Sequence, residues 1–399
     1  MRLLIHFARF GPYHHARLRA AHEALAPLGW EVIGLETAGA DATYAWDATK
    51  GDHGGPKMVT VFSGRVHEDI TAAEYRRELP PLLDALQPDA MAIAGWGSTD
   101  AVTCLSWCRK HDMRRIVMSE TRAADGKRLW WKEWVKRYLI SRFDGALVGG
   151  KSHRDYLVNL GMKPERIAFG YNVVDNFHFE TEALKHRNTE TPGHLPYFLA
   201  SNRFIERKNI ASLIDAFHLY TESRKRRSAE TPAWNLCLLG DGLLKPDLIA
   251  QCHHLGLHVI ESAPWQSCRN IEPPKHRNTV FLPGFRQIDE LPQFYANAGC
   301  FIHPALEEPW GLVLNEAMAS GLPVLSSNNV GAAEELVDDG VNGWKFDPAD
   351  VMGLAELMVR ISAFGFPFYD FGKASRRILE ERCPTRAFGE GLAELLNKG

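Results

Sequence analysis

The sequence predicts an α/β protein of two doubly wound domains, each a parallel sheet covered by helices. Three observations carry this. Short apolar runs of strand length alternate with helically spaced segments from the first residues onward, which is the rhythm of βαβ units and hence of parallel sheets. The rhythm stops at the polar stretch 180–195, ETEALKHRNTETPGHL, and restarts beyond it. Finally, 399 residues suffice for two or three cores at about 150 residues each.

The run LLIHFARF reads as a buried strand and Gly11-Pro12 as a turn. HHARLRAAHEALAPLG follows as a helix, with Leu18, Ala21, Leu25 and Leu28 at helical spacing and Gly29 as its stop. WEVIGLE closes the first βαβ unit. Similar units are expected at 87–96, 114–119, 143–149 with a helix through Gly161, and 166–171. Beyond the polar stretch come LPYFLASN, a helix over 209–224, and strands at 234–240, 280–284, 299–304 and 322–327 with a helix near 311–320. The segment 373–397 has helical spacing and fits against either domain, while 225–233 and 260–277 read as surface loops.

Composition narrows the function classes. Hydrophobic residues at 45% and charged residues at 24% are the proportions of a soluble globular chain. Lys and Arg number 46 against 49 Asp and Glu, a net charge of -3, so no global positive field collects nucleic-acid phosphates and nucleic acid is not an expected partner. The N-terminus lacks the apolar core of a signal peptide, and no stretch of 18 uncharged apolar residues occurs, so a cytoplasmic protein is expected. The seven cysteines, Cys104, Cys108, Cys237, Cys252, Cys268, Cys300 and Cys383, form no C-x-x-C pair and read as reduced thiols. For Cys104 and Cys108, four apart on a helix, packing is more economical than a metal.

Gly145-Ala-Leu-Val-Gly-Gly150-Lys151-Ser152 matches the P-loop formula, but Ala146–Val148 look like the strand itself, where a P-loop needs a flexible phosphate-wrapping loop. Gly240-Asp241-Gly242 lacks the third glycine of a dinucleotide fingerprint and reads as a tight strand-to-helix turn near a ligand. No D-x-D and no H-E-x-x-H occurs, so neither a metal-diphosphate clamp nor a zinc protease has support. The segment 303–324, HPALEEPWGLVLNEAMASGLPV, is the informative one. If a helix starts near Gly311, Glu308 lies just before its N-terminus and Glu316 about a turn inside, beside N–H groups at Leu312 and Val313 suited to phosphate. By spacing alone, a capped helix with ordinary surface acids is the simpler reading.

Glu308 and Glu316 also form the E-x7-E motif of retaining glycosyltransferases, and EPWGLVLNEAMASGLPV resembles glycosyltransferase family 4 almost letter by letter. Ser201-Asn-Arg203-Phe-Ile-Glu-Arg-Lys208 is similar to the family's G-R-x-x-x-x-K, Gly240-Asp241-Gly242 to its G-D-G turn, and Val280–Gly284 to its V-x-F-x-G strand. Asn172–Asp175 resembles the N-G-V-D that ends the first domain, and Gly331–Glu335 the G-G-x-x-E loop. The resemblance runs from about residue 2 to 397, dense in the C-terminal half.

The resemblance implies a GT-B architecture of two Rossmann-like domains facing across a cleft. It places an acceptor-side domain at 1–178, a linker at 179–195, a nucleotide-sugar domain at 196–370, and a C-terminal helix at 371–399 crossing back to the first domain. It also implies transfer of a sugar from a nucleotide-diphosphate donor to a hydroxyl acceptor, with retention, by a front-face route without metal or other cofactor. Arg203 and Lys208 would stabilise the departing diphosphate. Glu308 would support charge at the anomeric carbon, and Glu316, Gly311, Leu312, Val313, Gly240 and Gly11 would bind the donor. On the acceptor side, His14 follows the first loop, and Glu120 with Arg122 stand where many relatives have a His. The other histidines read as surface or packing residues.

The stretch 127–138, KRLWWKEWVKRY, interleaves aromatic and basic residues. It suits an interface helix meeting lipid head groups at the inner face of a membrane, or, more plainly, a helix covering the cleft wall with its lysines in water. Two rival functions remain: a non-catalytic sugar-nucleotide-binding protein and a P-loop nucleotide hydrolase.

Overall fold

The structure is a computed structural model that describes residues 1–40, 55–126, 128–187, 196–226, 233–264, 278–363 and 367–397. The chain divides into two compact units, Met1–Asp175 with Cys383–Gly399, and Asn176–Arg382. Each is built on a seven-stranded parallel sheet, so the fold class is α/β and doubly wound.

In the first unit the strands are β1 (Arg2–Phe7), β2 (Glu31–Ala40), β3 (Lys57–Val66), β4 (Ala90–Ala94), β5 (Arg114–Ser119), β6 (Gly145–Val148) and β7 (Ile167–Phe169), in the order β3-β2-β1-β4-β5-β6-β7. Helices α1 (Pro12–Leu25), α2 (Ala72–Leu86), α3 (Thr99–Lys110), α4 (Trp130–Ile140) and α5 (Lys151–Asn159) connect them. The strands covered on both faces, such as β4 and β6, are near-continuous apolar runs, as parallel strands must be. Gly145–Val148 being strand β6 paired to β5 and β7, the stretch that a P-loop would wrap around phosphate is sheet. Cys104 and Cys108 lie buried in the core, where burial pushes their thiols up, to about 12 for Cys108. Among the described residues no cluster of metal-ligating side chains occurs.

The second unit begins with α6 (Asn176–Arg187), so the first residues of the expected linker continue a helix; 188–195 lie outside the described residues. Its strands are β8 (Tyr197–Ser201), β9 (Asn235–Leu239), β10 (His258–Ile260), β11 (Thr279–Gly284), β12 (Cys300–His303), β13 (Val324–Ser327) and β14 (Gly343–Phe346), in the order β10-β11-β9-β8-β12-β13-β14. Its further helices are α7 (Ile210–Arg226), α8 (Lys245–His254), α9 (Leu291–Asn297), α10 (Leu312–Ala319), α11 (Gly331–Leu336), α12 (Val351–Ile361) and α13 (Phe368–Arg382). Most of the two expected surface loops, 227–232 and 265–277, lies outside the described residues. Among the described residues no helix is long and apolar enough to cross a membrane.

The helically spaced C-terminal stretch is two helices. α13 packs on α10 and α11, with Arg376 donating to the Ala319 carbonyl at 3.1 Å. After the break at Cys383-Pro384, α14 (Ala387–Asn397) packs along α1, β6 and β7 of the first unit. The break is pinned to that unit: the Cys383 thiol donates to the Asn172 carbonyl and the Thr385 hydroxyl to that of Val174, at 2.8 Å for the latter. Phe388 on α14 is fully buried. Phe388→Ala is therefore expected to cost the first unit about 3–5 kcal/mol. In urea titrations its transition should move to lower denaturant while that of the second unit stays; a loss below about 1 kcal/mol would remove α14 from that core.

Candidate functional site

In an open parallel sheet, ligands collect beyond the carboxyl ends of the strands where the strand order reverses. In the second unit that point lies between β8 and β12, and the side chains singled out by sequence emerge there. Arg203 follows β8, half-buried, and Lys208 closes a short 3-10 turn, Glu206–Lys208. On the other side β12 ends at His303, and Glu308 follows in the loop that leads to α10.

Backbone and side-chain bonds stitch the two loops. The Leu306 N–H donates to the Arg207 carbonyl at 2.8 Å, and the Asn209 amide donates to the carbonyls of Pro304 and Pro348 at 3.1 and 2.9 Å. Glu308 is fixed by its own backbone: its N–H donates to the Asn329 carbonyl and its carbonyl accepts from the Gly331 N–H at 3.0 Å. Held this way, its carboxylate takes the Lys208 ammonium in a direct ion pair, with Arg207 3.9 Å away.

The electrostatics follow from this burial. For Glu308, burial works to raise the pKa, but Lys208, His303 and Arg207 outweigh it and hold the carboxyl below its ordinary value. Lys208 is lowered, because burial costs its ammonium more than Glu308 returns. The pair presents an ionised carboxylate and a desolvated ammonium at one point.

The turn before α10 is made by Gly311, whose φ of 97° is a left-handed conformation that L side chains rarely adopt. A Cβ there would also stand 3.0 Å from the His303 Nε2. Leu312 and Val313 open the helix, contributing N–H groups that a helix leaves without an intrahelical partner. Glu316, one turn on, has no exposed surface, and its carboxylate accepts the Tyr295 hydroxyl at 2.6 Å. Gly240 lies against the same region: at φ 133° its Cβ would be 1.9 Å from the Asn202 carbonyl, so glycine is required for the β9 turn to approach the loop carrying Arg203.

The first unit holds the remaining expected residues, each with a local partner. Gly11 caps α1 and donates its N–H to the His14 Nδ1 at 3.0 Å. Burial, then Arg17, His15 and Arg9, keep His14 well below its ordinary pKa, and its ring lies 4.1 Å from that of Phe7. Arg122 is buried and ion-paired with Asp125 at 3.0 Å. Glu120 is exposed and contributes to the field that, with burial, raises Tyr171 to about 12.

Sequence reasoning assigned no role to His303. It is fully buried, and among the described residues neither ring nitrogen has a hydrogen-bond partner; burial and then Lys208 lower its pKa to about 3. Asn202, beside Gly240, is buried with its amide likewise unpartnered among the described residues. In the first unit, His6 on β1 lies buried 3.2 Å from Asp100 at the start of α3. The visible signal was position: His6 and His303 each sit at or next to the carboxyl end of a strand beside a switch point.

His303 supplies a pH test. Its depressed folded pKa means that its contribution is complete above pH 6.5 and is lost as pH falls toward 3, because only the unfolded chain binds the proton there. In His303→Gln, stability of the second unit should fall less steeply over that window, by up to about 1.4 kcal/mol per pH unit. Equal urea midpoints for wild type and variant at every pH would show that His303 does not titrate this way.

Residues 182–363 match the family model of glycosyl transferases group 1. The amylovoran biosynthesis glycosyltransferase AmsK of Erwinia amylovora is 31% identical over 125 residues, 30% of this chain and 30% of that protein. Three curated relatives with such similarity are matched over 30%, 8% and 33% of their own length. Among solved structures, the sucrose-phosphate synthase from Thermosynechococcus elongatus aligns with a TM-score of 0.74 at 17% identity, covering 100% of this chain and 98% of that one. HepE of Anabaena in complex with UDP and glucose aligns with a TM-score of 0.71 at 18% identity, covering 100% of both. At these identities the likeness is one of fold, and the fold is GT-B.

Proposed function

We propose that this chain, a member of the glycosyl transferases group 1 family over residues 182–363, transfers a sugar from a nucleotide-diphosphate donor to a hydroxyl acceptor with retention at the anomeric carbon. The observation that carries the reading is the Lys208–Glu308 ion pair at the β8/β12 switch point, beside the start of α10. A diphosphate leaving group needs positive charge where its negative charge develops, and Lys208 with Arg203 supplies it without calling for a metal. The N–H groups of Leu312 and Val313 receive a phosphate.

In this mechanism the bond from the anomeric carbon to the diphosphate oxygen breaks while the acceptor oxygen bonds to the same face. The acceptor proton passes to the departing diphosphate, so no protein nucleophile is required. Glu308, kept ionised by Lys208 and then Arg207, stabilises positive charge at the anomeric carbon. Glu316 holds the ribose hydroxyls once the Tyr295 hydroxyl turns aside from it.

Melting with UDP, GDP, ADP and their sugar conjugates tests the donor site, since a ligand that binds the folded state raises its stability by mass action. One diphosphate is expected to stabilise the wild type equally with or without EDTA, and Glu316→Ala to lose that shift. With the matching sugar donor, Glu308→Gln should keep the shift while turnover falls about 100- to 1000-fold. NMR of the product should give the donor's anomeric configuration. No shift with any nucleotide would sink the donor site, and binding with no detectable turnover would favour the non-catalytic alternative.

A further inference from the structure

Helix α4 is turned inside out. Its half-buried and buried positions are Glu133, Lys136, Leu139 and Ile140, whereas Trp130, Trp131, Trp134, Val135 and Tyr138 are exposed. The inward polar pair has a built seat. The Lys136 ammonium lies 2.8 Å from Glu133 and 3.0 Å from the Tyr156 hydroxyl of α5, which donates to Glu133 at 2.8 Å, and the Arg128 guanidinium covers the Tyr156 ring at 4.5 Å. This network fixes the rotation of the helix, so the aromatic side faces outward for a structural reason rather than by fraying.

The outward side is ordered as well as apolar. Trp134 and Tyr138 stack at 6.5 Å with an interplanar angle of 15°, and Arg142 caps the column 4.4 Å over the Tyr138 ring. Lys132 stands over Trp131 at 5.4 Å. Trp130 is 84% and Trp134 68% exposed, with Leu129 extending the apolar strip. The only acid of the helix, Glu133, is the one turned inward, so the helix offers apolar side chains and cations, and no acid, on its outer side.

We propose that this side of α4 docks on the surface of an anionic lipid bilayer. Indole rings are favoured at the boundary between head groups and acyl chains, and flanking Lys132, Arg137 and Arg142 meet lipid phosphates. A helix of 11 residues, about 16 Å long, lies in that boundary and does not span it. Charge complementarity selects the occupant: a second copy laid on the same patch would oppose these cations to one another with no acid between them, whereas an anionic bilayer neutralises them. With the whole chain at -3, attraction is confined to this patch, so binding is expected to be reversible and salt-sensitive. The proposal is independent of the sugar-donor reading.

Vesicle cosedimentation of the full chain tests it. Wild type should pellet with phosphatidylcholine vesicles carrying about 30% phosphatidylglycerol, should not pellet with phosphatidylcholine alone, and should be released in about 0.5 M salt. Trp130→Ser with Trp134→Ser, and separately Lys132→Glu, should each reduce binding, the tryptophan pair about tenfold or more and Lys132→Glu several-fold, while melting as wild type does, because these side chains are exposed. The nucleotide-induced melting shift should be unchanged in both variants, which separates this outcome from any failure of the donor site. Absence of binding to anionic vesicles, or unchanged binding by the tryptophan variant, would overturn the proposal. So would a concentration-dependent dimer in sedimentation equilibrium that the tryptophan variant abolishes.

Discussion

A buried ammonium is the constraint around which the second unit's site is arranged. Lys208 is almost enclosed, and an isolated charge so placed would give up its proton. It stays serviceable as a cation only because Glu308 is held against it from another loop, and that loop cannot drift. Its carboxylate is positioned by backbone bonds to Asn329 and Gly331 and by the ties between Arg207 and Leu306. The same field reaches His303, whose ring is kept neutral at the end of β12, so three titratable groups share one electrostatic account: one anion, one cation and one neutral ring.

The fold was legible because both sheets are parallel and covered. β4, β6, β9 and β12 are short, mainly apolar runs that have nowhere to go but a core, and they stand out in the sequence accordingly. β3, KMVTVFSGRV, is an edge strand whose Val59, Val61 and Phe62 are only half-buried against the core, so its pattern is diluted. α2 carries Pro80 and Pro81 in its interior, and proline argues against a helix that its Thr71–Glu74 capping box nevertheless starts. The C-terminal stretch read as one helical pattern because both pieces have an apolar side; its division at Pro384 serves two different cores, and only the packing distinguishes them.

The site was legible in its members and not in its pairing. Glu308, Lys208 and Arg203 stood out through motif spacing, but Lys208 and Glu308 are 100 residues apart, and nothing local says they touch. The strand order supplies that link: β8 and β12 are neighbours, so loops leaving their carboxyl ends converge. His303 and Asn202 were hidden for a different reason. A buried histidine or asparagine with satisfied partners is ordinary, and only the folded arrangement shows that, among the described residues, these two lack partners.

Helix α4 shows why helical spacing alone misassigns a face. Periodicity identifies which residues share a side, and hydrophobicity then assigns that side to the core. That second step fails when the neighbouring helix offers a hydroxyl instead of an apolar groove. Tyr156 makes the polar side of α4 the one that can be satisfied inward, because Glu133 and Lys136 both bond its hydroxyl there. Taking a charged pair part-way out of water is tolerable when its partners are held in place, as Tyr156 holds Glu133 and Lys136 here and as converging loops hold Lys208 and Glu308 in the other unit. Both units thus hold an ion pair in place through a second element, half-buried in the first unit and nearly enclosed in the second, and in the first unit the geometric consequence is an aromatic surface turned to the outside.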